Sequence, residues 1–197
     1  MLCGGDDYML WIRFDFEQDQ CCYNLAMRRK FHRRIYTRPG EFFQDFRYMM
    51  SHRALIRRAM NDLIPFDFRE RLMMIVTEVN GCRYCSTFHS RLALTSGVSD
   101  KELRELLAGS IPKDAPPEEL PALLYTQYWA ERNAQPDTEA EKRLREVYGD
   151  EKAEAIQVIL RMIRAGNLLG NLADFLLHRF TFGRLGLRDD EARFAAS

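Results

Sequence analysis

The chain has 197 residues, 46% of them hydrophobic, and its 29 basic and 29 acidic side chains cancel. That length supports one well-buried core rather than two, and the balanced charge excludes the global field that draws a protein to nucleic acid or an anionic membrane. No apolar run approaches the roughly 18 residues of a membrane span, Asp6, Asp7 and Asp15 stand where a secretory leader carries positive charge, and five cysteines without framework spacing fit a reducing, cytoplasmic setting.

Residues 1–40 are read as an N-terminal arm apart from the rest. Trp11, Phe14, Phe16 and the vicinal Cys21 and Cys22 follow neither a helical nor an alternating period. The expectation is an arm packed on a neighbouring subunit, or in part an early start codon, with Met27 the later candidate. The basic run RRKFHRR at 28–34 reads as a solvated arm or helix face.

Residues 41–197 carry helical signals and are expected to form one all-α domain. GEFFQDFRYMMSHRALIRRAMNDLI places Phe42, Phe46, Met49, Met50, Leu55 and Ile56 at three- and four-residue spacings, which predicts two helices parted near Ser51. Pro65 punctuates, and Asp67 followed three residues later by Glu70 reads as a capping box opening a helix with Leu72, Ile75, Val76 and Val79. Gly81 ends that helix or begins the next. Ser99 and Glu102 form a second capping signal, and IPKDAPPEELP is a connector. Beyond it ALLYTQYWAERNA, EAEKRLREVYG and the long DEKAEAIQVILRMIRAGNLLGNLADFLLHRF are amphipathic or apolar helices. No strand cluster appears, so the fold class is an all-α bundle of about six to eight helices.

The chemistry concentrates in NGCRYCSTFHSRLAL, residues 80–94. On one helix Cys85 lies about 300° round from Cys82 and His89 about 700° round, so all three share a face. The step from Cys85 to His89 puts the imidazole one turn from the thiol, within reach of assisting its deprotonation. A first-turn position favours thiolates, and C-x-x-C spacing lets one sulfur resolve the sulfenic acid of the other. A thioredoxin site fails on context, since it follows a strand in an α/β fold.

The stretch FRERLMMIVTEVNGCRYCSTFHSRLALTSGVSDKEL, residues 68–103, resembles the alkylhydroperoxidase D-like branch of the carboxymuconolactone decarboxylase superfamily, with its R-E…N-G-C-x-Y-C-x-x-x-H…G core. A looser echo runs from 123 to 176, with Asn171 and Asp174 as an N-x-x-D pair. The resemblance implies that Cys85 attacks a hydroperoxide or a partner-protein disulfide, that Cys82 resolves it, and that His89 and Glu70 relay the proton. An external dithiol would restore the pair, with no bound cofactor and no metal. It also implies a homo-oligomer, a trimer or hexamer, to whose contacts Trp129 or Phe182 would contribute if they are not core. Tyr84 stands where the best characterised peroxidases of the branch have histidine, and the superfamily's decarboxylases lack the cysteine pair.

Other readings stand beside this one. Two thiolates and an imidazole are three of zinc's four ligands, with Cys21, Cys22 or His178 as sources of a fourth. A non-catalytic oligomeric binding module with a structural or zinc-holding Cys/Cys/His face is therefore the alternative. Glu70 is explained by capping alone, and its twelve-residue interval to Cys82 gains meaning from the resemblance. Glu78 is a less favoured carboxylate. Gly166 and Gly170 form a G-x-x-x-G that suits close helix packing, and His32, His52 and His178 read as structural.

Overall fold

Proline and glycine set most of the boundaries in the computed structural model, which describes residues 31, 33–181 and 185–187. Cys21, Cys22, Met27, His32 and Phe182, and the expected arm up to residue 30, lie outside the described residues. Within Arg33–Leu187, a single compact unit, all regular structure among the described residues is helical, as expected.

Pro39 opens α1 (Pro39–Ser51), where its missing N–H costs nothing. The predicted parting falls at His52, whose φ of −105° and ψ of 16° leave the helical region before α2 (Arg53–Arg58) and a π-turn over Ala59–Leu63. Pro65 then caps α3 (Phe66–Asn80) with extended backbone and no side-chain hydrogen bond. The expected Asp67–Glu70 capping box is therefore not formed: the helix starts at Phe66, which places Asp67 inside it. Asp67 pairs instead with Arg71 at 2.9 Å, and Glu70 is buried.

Gly81 takes the left-handed conformation (φ 71°) and ends α3. The chain reverses there into α4 (Arg83–Ser96), with Cys82 as its N-cap. After Gly97, the Ser99–Glu102 capping box is present as predicted and opens α5 (Asp100–Leu107). The connector leads to α6 (Leu120–Glu131), and the Asp137 side chain accepts from Ala140 N at 2.7 Å to open α7 (Thr138–Phe180). Gly149, with φ 74° and ψ 163°, breaks α7 internally, so the two predicted helices meet at that residue.

The third helix is the axis of the bundle, packed by α4, α5, α6 and α7. Phe68, Leu72, Met74 and Val76 are almost wholly buried against Leu106, Leu123, Trp129, Ile156, Ile159 and Leu160. Each such side chain contributes roughly 1.5–3 kcal/mol of burial. Trp129 thus belongs to the core. The same axial helix also buries Arg69, Glu70, Arg71, Thr77 and Asn80. Groups of that kind are retained inside only with partners, and the partners of Glu70, Thr77 and Asn80 lie on α4 and α7.

Candidate functional site

The site forms where α3 turns into α4 against the second half of α7. Gly81 makes the turn possible: a side chain there would be strained by its φ and would place Cβ 3.0 Å from the Arg33 Cγ. The turn delivers Cys82 to the start of α4, where its sulfur accepts the Cys85 backbone N–H at 3.4 Å. The two sulfurs lie 2.8 Å apart, with Cys82 buried and Cys85 half-buried, both as free thiols.

One face of α4 thus brings the predicted thiols together. The hydrogen bond between the two sulfurs, with burial, pushes the Cys85 thiol well up. That same bond, two backbone N–H groups and the Arg33 charge push the Cys82 thiol down to about 7 despite its burial. The two thiols therefore titrate as a pair, with the inner sulfur the one favoured to ionise.

His89 Nδ1 lies 2.7 Å from Glu70 Oε2, and both side chains are largely buried. A carboxylate accepts from Nδ1–H, which leaves Nε2 as the basic nitrogen of the neutral ring. The sequence paired the imidazole with the Cys85 thiol. Among the described residues His89 makes no direct hydrogen bond to either sulfur; its partner is Glu70, and Phe88 packs edge-on against it at 5.1 Å. Glu78 borders a small cleft with Ser110 and Gln127 instead.

Sequence reading missed a layer of residues behind the thiols. Asn167 donates to Thr77 Oγ1 at 3.1 Å, accepts from Asn80 at 3.2 Å, and reaches Cys85. Asn171 donates to the backbone carbonyls of Asn80 at 2.7 Å and Arg34 at 2.9 Å. Gly170 is the wall behind Cys82, since a Cβ there would lie 2.9 Å from its sulfur and 3.6 Å from the Tyr84 ring. Gly166 is exposed with open space around it. The G-x-x-x-G reading is corrected accordingly: only Gly170 marks a close approach, and it is to a cysteine and a tyrosine of α4.

Asp174 is the hub of this layer. It accepts from Arg33 at 2.5 Å, Arg83 at 2.7 Å and Tyr84 Oη at 2.7 Å, with its carboxylate fully buried. Burial works against its charge, but these bonds outweigh it and hold the carboxyl below the usual range. Tyr84 therefore spends its hydroxyl on α7, not on the thiols between which it stands in sequence. Arg33 also donates to the Gly186 carbonyl, and Arg34 to the carbonyls of Ala130 and Glu131. The basic run is corrected at these two positions: they are anchored arginines rather than a solvated face. An aspartate in an apolar helix was the available signal, because a buried carboxylate requires donors.

Among the described residues no group of three His, Cys, Asp or Glu side chains is placed to hold a metal ion, and no helix is long and apolar enough to cross a membrane. Residues 46–128 match the model of the carboxymuconolactone decarboxylase family. Over this span the chain is similar to that family. No curated protein and no solved structure matches the chain. The carboxymuconolactone decarboxylase family includes enzymes, and its matched span here holds Glu70, Cys82, Cys85 and His89. Arg33 precedes it, and Asn167, Gly170 and Asp174 follow it.

Proposed function

We propose that the protein is a thiol-dependent oxidoreductase of the alkylhydroperoxidase D-like branch, reducing a hydroperoxide or exchanging with a partner-protein disulfide. The observation that carries this reading is the 2.8 Å approach of two free sulfurs at a helix start, beside a histidine paired to a buried glutamate. Sulfurs this close share a proton and need little motion to bond.

Cys82 is 1% exposed, so the half-buried Cys85 is the sulfur that meets an oxidant. As Cys85 attacks the terminal oxygen of a hydroperoxide, the O–O bond breaks and its own proton passes to Cys82. The departing alkoxide takes a proton from solvent, with His89 and Glu70 as the relay: Nε2 accepts a solvent proton and passes it on while Glu70 holds Nδ1–H. The products are an alcohol and a Cys85 sulfenic acid. Cys82 then attacks that sulfur, forming the disulfide and expelling hydroxide, which leaves as water with the Cys82 proton. Against a partner disulfide the same attack gives a mixed disulfide that Cys82 resolves, releasing the partner's dithiol. An external dithiol returns both sulfurs by exchange, and no resident cofactor or metal enters the cycle.

The subunits of the branch work as homo-oligomers, and the same is proposed here, in the cytoplasm, as a trimer or hexamer. The test of function is consumption of an organic hydroperoxide with a small dithiol as reductant. The wild type is expected to turn over, and Cys85→Ser to lose turnover entirely. Full activity in Cys85→Ser overturns the assignment. Retention of zinc by the purified protein, with both thiols blocked to titration, would favour the binding module instead.

A further inference from the structure

Asp174 has Arg83 and Tyr84 as donors from the first turn of α4. These two tie the cysteine helix to α7, yet the carboxylate takes a third donor, Arg33, from far away in the chain. The Arg33 stem crosses Gly81 so closely that a Cβ there would lie 3.0 Å from its Cγ, its side chain is 4% exposed, and its other terminal nitrogen donates to the Gly186 carbonyl. A guanidinium with both terminal nitrogens fixed cannot swing away. It is held beside the turn that carries Cys82.

We infer that Arg33 is a positioning residue for the thiol pair, presenting a fixed positive charge to Cys82 across the Gly81 turn and so keeping the inner sulfur as the anionic member. The inference rests on the redox reading of the pair. Other groups face the same sulfur. The Cys85 sulfur meets it at 2.8 Å from one turn along α4, Arg83 and Tyr84 follow it in the first turn, and Asp174 stands behind them on α7. His89 and Glu70 lie a further turn along α4 and on α3. The hydrogen bonds from Cys85 and the backbone do most to hold the Cys82 thiol down, and Arg33 is the cation whose charge adds to them. It lies outside residues 46–128, so the matched span alone does not contain the complete site.

The role separates from mere packing by charge. Arg33→Met keeps an apolar stem against Gly81 without the cation, and Arg33→Lys keeps the cation with fewer hydrogen bonds. The readout is the ultraviolet thiolate titration of the reduced full chain, with Cys82→Ser subtracted to isolate the inner sulfur and circular dichroism to confirm folding. The wild-type midpoint is expected near 7. Arg33→Met is expected to raise it by roughly one unit, about a tenfold loss of thiolate below the midpoint, and Arg33→Lys to recover most of that. Arg33→Gln replaces the methionine variant if that one fails to fold. A folded neutral variant with an unmoved midpoint overturns the inference, and so does an equal rise in the lysine variant. No oxidant is present, so this result is independent of whether the pair cycles with peroxide.

Discussion

Two buried charge clusters lie along α3, built in opposite senses. Near the start of the helix one cation, Arg71, serves three carboxylates: Asp67 at 2.9 Å, Glu102 at 3.2 Å and Glu119 at 3.2 Å. Beyond its end one carboxylate, Asp174, serves Arg33, Arg83 and Tyr84. The first cluster is short of positive charge. Burial, with Asp67 and Glu118 nearby, pushes the Glu119 carboxyl up to about 7 although Arg71 opposes this. Beside the second cluster the Cys82 thiol moves down to about 7, chiefly through its hydrogen bond with Cys85 and two backbone N–H groups, with the Arg33 charge adding to them. One cluster therefore holds a carboxyl that resists ionising, and the other adjoins a thiol that ionises more readily. The acidic cluster joins α3 to the α5 cap and to the connector before α6, which is structural work; the basic one backs the reacting groups.

Removing the centre of the basic cluster is the harshest way to break this contrast. Asp174→Asn leaves two guanidinium groups without their shared buried carboxylate, and a loss of roughly 3 kcal/mol or more in urea unfolding is expected. Gly170→Ala leaves the charges alone and pushes a methyl against Cys82. Overpacking of about 1–3 kcal/mol is expected, together with slower disulfide closure measured by quenched-flow trapping, since the sulfur must shift from Cys85. Unchanged closure would mean that the wall behind Cys82 does not set its position.

The acidic cluster is sharpened by pH. Glu119 has a folded-state pKa raised above its ordinary 4.5, so the stability it contributes is fully present below about 4.5 and is lost as pH rises through about 7. Over that window the unfolding free energy of Glu119→Gln is expected to fall less with rising pH than that of the wild type. Identical slopes would remove Glu119 as the titrating group. The smallest effect belongs to Ser99→Ala. It deletes the α5 cap that shares Glu102 with Arg71 and is expected to cost about 1 kcal/mol in the same unfolding measurement.

The contrast also explains what was legible in the sequence. Helix spacing, the Ser99–Glu102 box, Gly81 and the proline boundaries are local signals, and each is present in the fold. The pairing of Cys82 with Cys85 is local too. Asp67 and Glu70 satisfied a capping pattern by spacing alone, but Pro65 starts the helix two residues earlier than that pattern requires, and the carboxylates pair instead with Arg71 one turn along and with His89 on α4. Arg33, Asn167, Gly170 and Asp174 were not read as site residues because their role depends on which distant segment packs on α4. Hydrophobic period carries no record of that, and a basic run such as RRKFHRR looks alike whether it is solvated or folded onto an aspartate.

Mapping of the cysteine pair after one equivalent of hydroperoxide, with thiols trapped in acid, tests the central claim most directly. The account predicts a loss of about 2 Da on a peptide joining Cys82 to Cys85, reversed by a dithiol and absent in Cys82→Ser, where Cys85 stops at the sulfenic acid. Both thiols recovered reduced, in folded protein with the hydroperoxide unconsumed, would contradict it.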